Sequence, residues 1–229
     1  MAICDEFKTK NLYHYPEHSI AAPLLAKCEY PWEALDHIAE FIRKIGIKLS
    51  PRDFTRIGTD VWVAKTATVS PTACINGPCI ICDSAEIRHC AFIRGNVIVG
   101  TGAVVGNSTE LKNCILFDGV QVPHYNYVGD SVLGYKAHMG AGAVTSNVKS
   151  DKSLVAAGSG EDRIETGRKK CGAMLGDFVE VGCNSVLNPG TVIGPYSNIY
   201  PLSSVRGYVP ANSIYKAKDS IVLKRKNKD

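Results

Sequence analysis

Residues 57–111, IGTDVWVAKTATVSPTACINGPCIICDSAEIRHCAFIRGNVIVGTGAVVGNSTEL, decide the fold. Stepping by six from Ile57 meets Val63, Val69, Ile75, Ile81, Ile87, Ile93, Val99, Val105 and Leu111, all of them aliphatic. If roughly a fifth to a quarter of residues are Ile, Val or Leu, ten hits in a preset frame are on the order of a one-in-a-million event or rarer. The frame then slips by one to Leu116, Val122 and Val128, and again to Leu133 and Met139. A second run follows at Leu175, Val181, Leu187, Ile193, Ile199 and Val205. The residue two places before the aliphatic is small or β-branched almost throughout, as at Ala67, Ala73, Cys79, Ala85, Ala91 and Ala103.

Neither a 3.6-residue helical period nor simple strand alternation produces a six-residue repeat with two inward positions. Short strands joined by tight turns do, with aliphatic residues stacking coil upon coil, so the sequence predicts an all-β parallel β-helix over residues 52–207. Residues 1–51 precede it. Within them, residues 31–45 (PWEALDHIAEFIRKI) place Leu35, Ile38, Ile42 and Ile45 on one helical face between Pro31 and Gly46, which predicts a helix capping the first coil. Residues 149–170 interrupt the repeat with Ser, Gly and charge and read as a projecting loop. Residues 208–229 form a basic tail.

Composition excludes several functions. The apolar fraction is 45% and the charged fraction 21%, near globular averages. No run of eighteen apolar residues predicts a membrane span, and the N-terminus lacks the order of a secretory signal, so a cytoplasmic protein without a membrane partner is expected. The net charge of +4 equals that of the last fourteen residues alone, where six lysines and arginines oppose two aspartates. That tail reads as a solvated end or a phosphate clamp, and nucleic acid is not expected as a partner. Nine cysteines, an odd number, point to free thiols. Cys79 falls on a small inward position of the repeat, which makes it a buried hydrophobe rather than half of a Cys-x-x-Cys metal pair.

A β-helix is a scaffold, and chemistry must come from what interrupts it. Arg94 follows the aliphatic Ile93 where neighbouring coils carry small residues, and Lys112 follows eighteen residues later beside Glu110. Eighteen residues make one coil, so the two cations stack about 4.8 Å apart. Either an anion such as phosphate lies between them or the side chains fan apart into water. Downstream, His124-Tyr125-Asn126-Tyr127-Val128-Gly129-Asp130 breaks the frame. An imidazole there suits proton abstraction from a nucleophile attacking a thioester.

Residues 94–147 resemble the acetyltransferase half of the bifunctional UDP-N-acetylglucosamine pyrophosphorylase/glucosamine-1-phosphate N-acetyltransferases, in the Glu110-Leu111-Lys112, HYNYVGD and GAGAVTSN (140–147) motifs. With the later repeats, the likeness covers about half of the chain. The resemblance implies a left-handed β-helix of about seven coils, a homotrimer, and acetyl-CoA as co-substrate with a small-molecule sugar phosphate as acceptor. Residue by residue, it implies that Arg94 and Lys112, with Glu110, hold the phosphate. Tyr127 and His138 contact the sugar, His124 is the general base, and Ala141, Asn147 and Cys183 lie on the coenzyme side. It also implies amino-sugar metabolism. The pyrophosphorylase half has no counterpart, since no Gly-rich nucleotide loop opens the chain.

The sequence departs from that family mainly on the donor side. His138 stands for Asn, Val148 for an aromatic, Cys183 for Ser and Pro201 for Ala, and no Arg clearly closes the coenzyme site. Lys149, Lys152, Arg163, Arg168, Lys169 and Lys170 in the inserted loop are available to phosphates. Two other readings follow: a sugar-phosphate or nucleotide-sugar binding protein without turnover, and a carbonic-anhydrase-like β-helix protein. The latter would use His89 and His124, 35 residues apart, but Gly129 stands where its third ligand belongs. No catalytic metal is expected.

Overall fold

The computed structural model describes residues 3–158, 160, 163–217 and 220–224. It is a parallel β-helix with three strands per coil, each stacked on its own kind. The first face carries Val61–Ala64, Cys79–Ile81, Val97–Val99, 114–116, 131–133, Ala173–Leu175, Thr191–Ile193 and Tyr208–Val209. The second runs from Thr68–Val69 to Ser213–Ala217, and the third from Cys74–Ile75 to Ser204–Val205. Among the described residues this makes seven complete coils and two faces of an eighth. Ile81, Ile87, Ile93, Val99, Val105 and Leu111 point inward and are buried. Ile57 does not: it lies on Phe54–Gly58, which pairs antiparallel with Val61–Ala64, and is 56% exposed. The repeat's inward stack therefore begins one turn later, at Val63.

The predicted end cap is instead a cover along the first face. The outward residues of that face, Ile80, Ile98, Ile115, Val132, Met174 and Val192, are apolar and fully buried. A bare prism would expose them, and burying each stabilises by about 1.5–3 kcal/mol. The α-helix Ile38–Gly46 packs on Cys79–Ile81, Val97–Val99 and Glu110–Leu116, and the 3₁₀ helix Pro31–Asp36 packs on Tyr127–Leu133. The single helix expected over 31–45 is thus two elements meeting at His37. Gly46 is required by contact, because a Cβ there would sit 2.5 Å from the Trp62 ring. Farther upstream, Tyr13 donates to the Val132 carbonyl (3.3 Å) and stacks on Phe117 (4.9 Å). His18 stacks on Tyr135 at 4.0 Å, which fastens the segment to the edge between the first and second faces.

The inserted segment is also not a free loop. Val155–Ala157 and Ile164–Arg168 form an antiparallel hairpin, with a bridge between Val148 and Lys170 at its base. Val155 and Ala157 are buried, and the Arg168 guanidinium pairs with Asp36 of the N-terminal cover. Three cations of the segment therefore already have carboxylate partners, since Lys149 meets Asp151 and Arg163 meets Glu165. At the other end, Ser213–Ala217 and Ser220–Leu223 form a second hairpin that closes the second face. Lys224 donates to the Tyr196 carbonyl, and its partial burial lowers its pKa. Lys218, Arg225, Lys226 and Lys228 of the basic tail lie outside the described residues.

Candidate functional site

The third face carries the chemistry. Its outward columns are set by strand register: Phe92, Glu110, Tyr127 and Val144 align in one. Arg94, Lys112 and Gly129 align in the next, because the Arg94 N–H bonds to Leu111 O and Lys112 pairs with Gly129. The eighteen-residue step does bring the two cations into one column. Each has a carboxylate of its own: Arg94 Nη1 donates to Glu110 Oε1 at 2.7 Å, and Lys112 Nζ to Asp130 Oδ2 at 3.0 Å. Like-charge repulsion is thus offset within the chain, and the group of four is neutral overall. The Arg94–Glu110 pair is solvent-exposed, at 45% and 34%, so an arriving anion can exchange with Glu110 cheaply. Asp130 is 3% exposed in its side chain and stays with Lys112.

Sequence reasoning passes over Asp130, yet it is the centre of the group. Besides Lys112 it accepts hydrogen bonds from Asn113 Nδ2 (2.8 Å) and Asn147 Nδ2 (2.6 Å). Asn147 Nδ2 also reaches Tyr127 Oη at 3.2 Å. The Tyr127 ring folds back over Gly129, where a Cβ would lie 2.4 Å from the phenol oxygen, so only glycine admits this pose. Burial raises the phenol's pKa, and Tyr127 remains a neutral donor near pH 7. Stepping eighteen once more from Lys112 reaches Asp130, which is the signal the sequence holds for it.

His124 ends Gln121–His124 on the ridge between the second and third faces. Its side chain is exposed and makes no hydrogen bond among the described residues, while its backbone is fixed. The His124 N–H donates to Asn126 Oδ1 (3.1 Å), and Asn126 Nδ2 donates to Gly140 O (2.8 Å) and Ala143 O (3.0 Å). Asn126 is 2% exposed and clamps this coil to the next. The following residue, Tyr125, has φ of +52°, matching Cys90, Ser108, Asn184 and Leu202 at the same turn of other coils. Ladder bonds from Gly142 N to His124 O, Asn184 N to Ala141 O and Leu202 N to Cys183 O place His124, Ala141 and Cys183 in one line along the ridge. The small side chains at Ala141 and Cys183 keep that line low beside His124.

The structure thus gathers Arg94, Glu110, Lys112, Tyr127 and Asn147 at one edge of the third face, and His124, Ala141 and Cys183 at its other edge. It sets His138 apart. His138 lies on the second face, in register with Gln121 and Glu180, and its Nδ1 is 2.7 Å from Glu180 Oε2. His89 shares the ridge with His124 two coils away, about 10 Å at the rung spacing, too far for one metal ion within a chain. Among the described residues, no three His, Cys, Asp or Glu side chains stand close enough to hold a metal. A cavity of about 690 Å³ lies elsewhere, between the N-terminal cover and Phe117, lined by Tyr13, His14 and Leu25. Its walls are mainly apolar and it holds none of the site residues, so the third face is the better candidate on chemical grounds.

Several known proteins are similar to this chain. A 34% identical stretch of 126 residues is shared with a bifunctional sugar-1-phosphate nucleotidylyltransferase/acetyltransferase of Sulfurisphaera tokodaii, covering 55% of this chain and 31% of that protein. The bifunctional protein GlmU of Methanococcus maripaludis is 30% identical over 199 residues, 86% of this chain and 48% of that protein. The chain therefore spans half or less of the length of these relatives. Among solved structures, the S84C mutant of AntD, an N-acyltransferase from Bacillus cereus, overlays with a TM-score of 0.40 and 16% identity, over 77% of this chain and 92% of that one. The family model described as the GMPPB C-terminal domain matches residues 75–200. That span is more than half of the chain and holds the cation column, the Asp130 group and the His124 ridge, and on it the chain belongs to the GMPPB C-terminal domain family.

Proposed function

We propose that this chain is an acetyl-CoA-dependent N-acetyltransferase acting on an amino-sugar phosphate or nucleotide sugar, with His124 as general base. The observation that carries the reading is His124 itself: an exposed imidazole free of intramolecular hydrogen bonds among the described residues, on a rigidly clamped backbone, on the same face as the Arg94–Lys112 column. The name of the Sulfurisphaera tokodaii relative, a bifunctional sugar-1-phosphate nucleotidylyltransferase/acetyltransferase, agrees with it. Arg94 receives the acceptor's phosphate by releasing Glu110, Lys112 adds a second donor, and Tyr127 hydrogen-bonds the sugar. His124 takes the proton from the amino group as its nitrogen attacks the thioester carbonyl. The C–N bond forms, the C–S bond breaks, and the proton passes from the imidazolium to the departing thiolate. No covalent intermediate on the enzyme is needed. Ala141 and Cys183 line the donor's path along the ridge, and Asn147, across the face beside Tyr127, meets the donor where it reaches the acceptor.

The same reading takes the β-helix as left-handed and the working unit as a cytoplasmic homotrimer, whose neighbouring chain brings a second wall to the third face. His138 then contacts the sugar only through that assembly, since within one chain it lies on another face. A second reading, binding without turnover, draws on the donor side: Cys183, Val148 and Pro201 all depart from the family, and Val148 is engaged at the base of the inserted hairpin. Calorimetric titration with acetyl-CoA and, separately, with glucosamine-1-phosphate discriminates. Binding of both supports the transferase, and sugar-phosphate binding without coenzyme binding selects the second reading.

A further inference from the structure

We infer that Asp130 is a positioning residue that sets both halves of the site at once, holding Lys112 for the acceptor's phosphate and Asn147 for the donor side. The inference rests on the acetyltransferase reading above. Its geometric basis is independent of that reading. Asp130 stands at the corner between the third and first faces with φ of +48°, and its carboxylate is buried. Both oxygens are engaged: Oδ1 accepts from Asn113 Nδ2 (2.8 Å) and Lys112 Nζ (3.3 Å), and Oδ2 accepts from Asn147 Nδ2 (2.6 Å) and Lys112 Nζ (3.0 Å). These partners come from two different coils, one on each side of Asp130. A carboxylate offers about four acceptor positions, and four donor contacts fill them.

Two consequences follow from charge and from donor geometry. First, the buried carboxylate quenches Lys112, so an incoming phosphate meets a lysine whose charge is already largely compensated. The acceptor is then held mainly by the exposed Arg94 and oriented, rather than gripped, by Lys112. Second, Asn147 can face Tyr127 only while its amide N–H group points at Asp130, because Nδ2 serves both partners. An uncharged amide at position 130 breaks both arrangements. It frees the lysine's charge, and its own NH₂ group opposes either Asn113 or Asn147, donor against donor.

The test is Asp130→Asn in the full chain, read by titration with inorganic phosphate and by steady-state acetyl transfer to glucosamine-1-phosphate. The expected result is a split: phosphate binds about fivefold or more tightly, KM for the sugar phosphate falls, and kcat drops at least tenfold. Unchanged kcat, or a loss of phosphate affinity together with kcat, overturns the inference, since the second pattern is that of a residue that only supports the fold. Asn113→Gly serves if Asp130→Asn does not fold. Asn113 has φ of +50°, which glycine adopts freely, and it touches Asp130 from behind. The expected result is a severalfold lower kcat at an unchanged melting temperature, and an unchanged kcat counts against the inference. The phosphate titration needs no turnover, so even in a chain that transfers no acetyl group a phosphate affinity that fails to rise in Asp130→Asn overturns the role given to Asp130.

Discussion

Replacing Ile98 by alanine tests whether the N-terminal segment covers the first face. Ile98 is an outward residue of the central strand Val97–Val99, yet it is fully buried, because the helix Ile38–Gly46 lies over it. Ile→Ala removes the equivalent of three methylene groups, which at about 0.8 kcal/mol each is roughly 2.4 kcal/mol of transfer free energy. The cavity left between a β-sheet and a packed helix adds to this, for a total of about 3–4 kcal/mol. Phe92 is the matched control: it is an outward residue of the neighbouring face, 37% exposed, and Phe92→Ala should cost about 1 kcal/mol or less. Urea unfolding of the two variants, followed by circular dichroism, measures both. A loss below about 1 kcal/mol for Ile98→Ala would show that the first face is not covered in solution, and would refute this packing.

Further outcomes follow from the same geometry. Alkylation of the native protein at pH 8 should label the exposed Cys74, Cys90 and Cys183 first. Cys82 and Cys171, whose thiols burial pushes up to about 12, together with the buried Cys79 and Cys114, should react only after unfolding, as peptide mass spectrometry can show. Gly106→Ala should prevent folding, because its Cβ would stand 1.6 Å from the Pro123 carbonyl oxygen of the next coil, and expression in the insoluble fraction is the readout. Burial raises the pKa of Tyr127, so a smaller share of it is ionised at pH 10 than of an ordinary tyrosine, as a difference titration against Tyr127→Phe at 295 nm should show. The stability linked to that shift is complete below pH ~10 and is lost as pH rises toward the folded-state value.

The six-residue period was sufficient for the architecture because every coil repeats the same two inward positions, and nine of the ten aliphatic residues in frame, Val63 to Leu111, lie on strands of the coils, while Ile57 precedes them. The cover over the first face was also written in the sequence, though not in that period. In several strands of the first face three apolar residues come in a row, as in Cys79-Ile80-Ile81, Val97-Ile98-Val99 and Cys114-Ile115-Leu116, and the middle one needs a partner outside the prism. Reading the period alone passes over that middle residue. Residues 149–170 misled because Ser, Gly and charge suit a hairpin's turn and rim as well as a loop, and its anchors include no more than short stretches such as Val155 and Ala157 with a salt bridge to Asp36.

At the site, stacking arithmetic placed Arg94 over Lys112 correctly in register. The same step reaches Asp130, but the one-residue slip between coils moves it to the corner, so its pairing with Lys112 is read from the structure rather than from the spacing. His138 shows the opposite limit. The resemblance implies a sugar contact for it, but the six-residue period puts it on the second face beside Glu180, away from the Arg94–Lys112 column.

Release of coenzyme A thiol from acetyl-CoA in the presence of glucosamine-1-phosphate, compared between the wild-type chain and His124→Ala, tests the central claim most directly. Acetyl transfer by the wild type, reduced at least a hundredfold in the variant while both ligands still bind, is the predicted result. Equal rates in the two proteins, or no thiol release from a wild-type chain that binds both ligands, would contradict it.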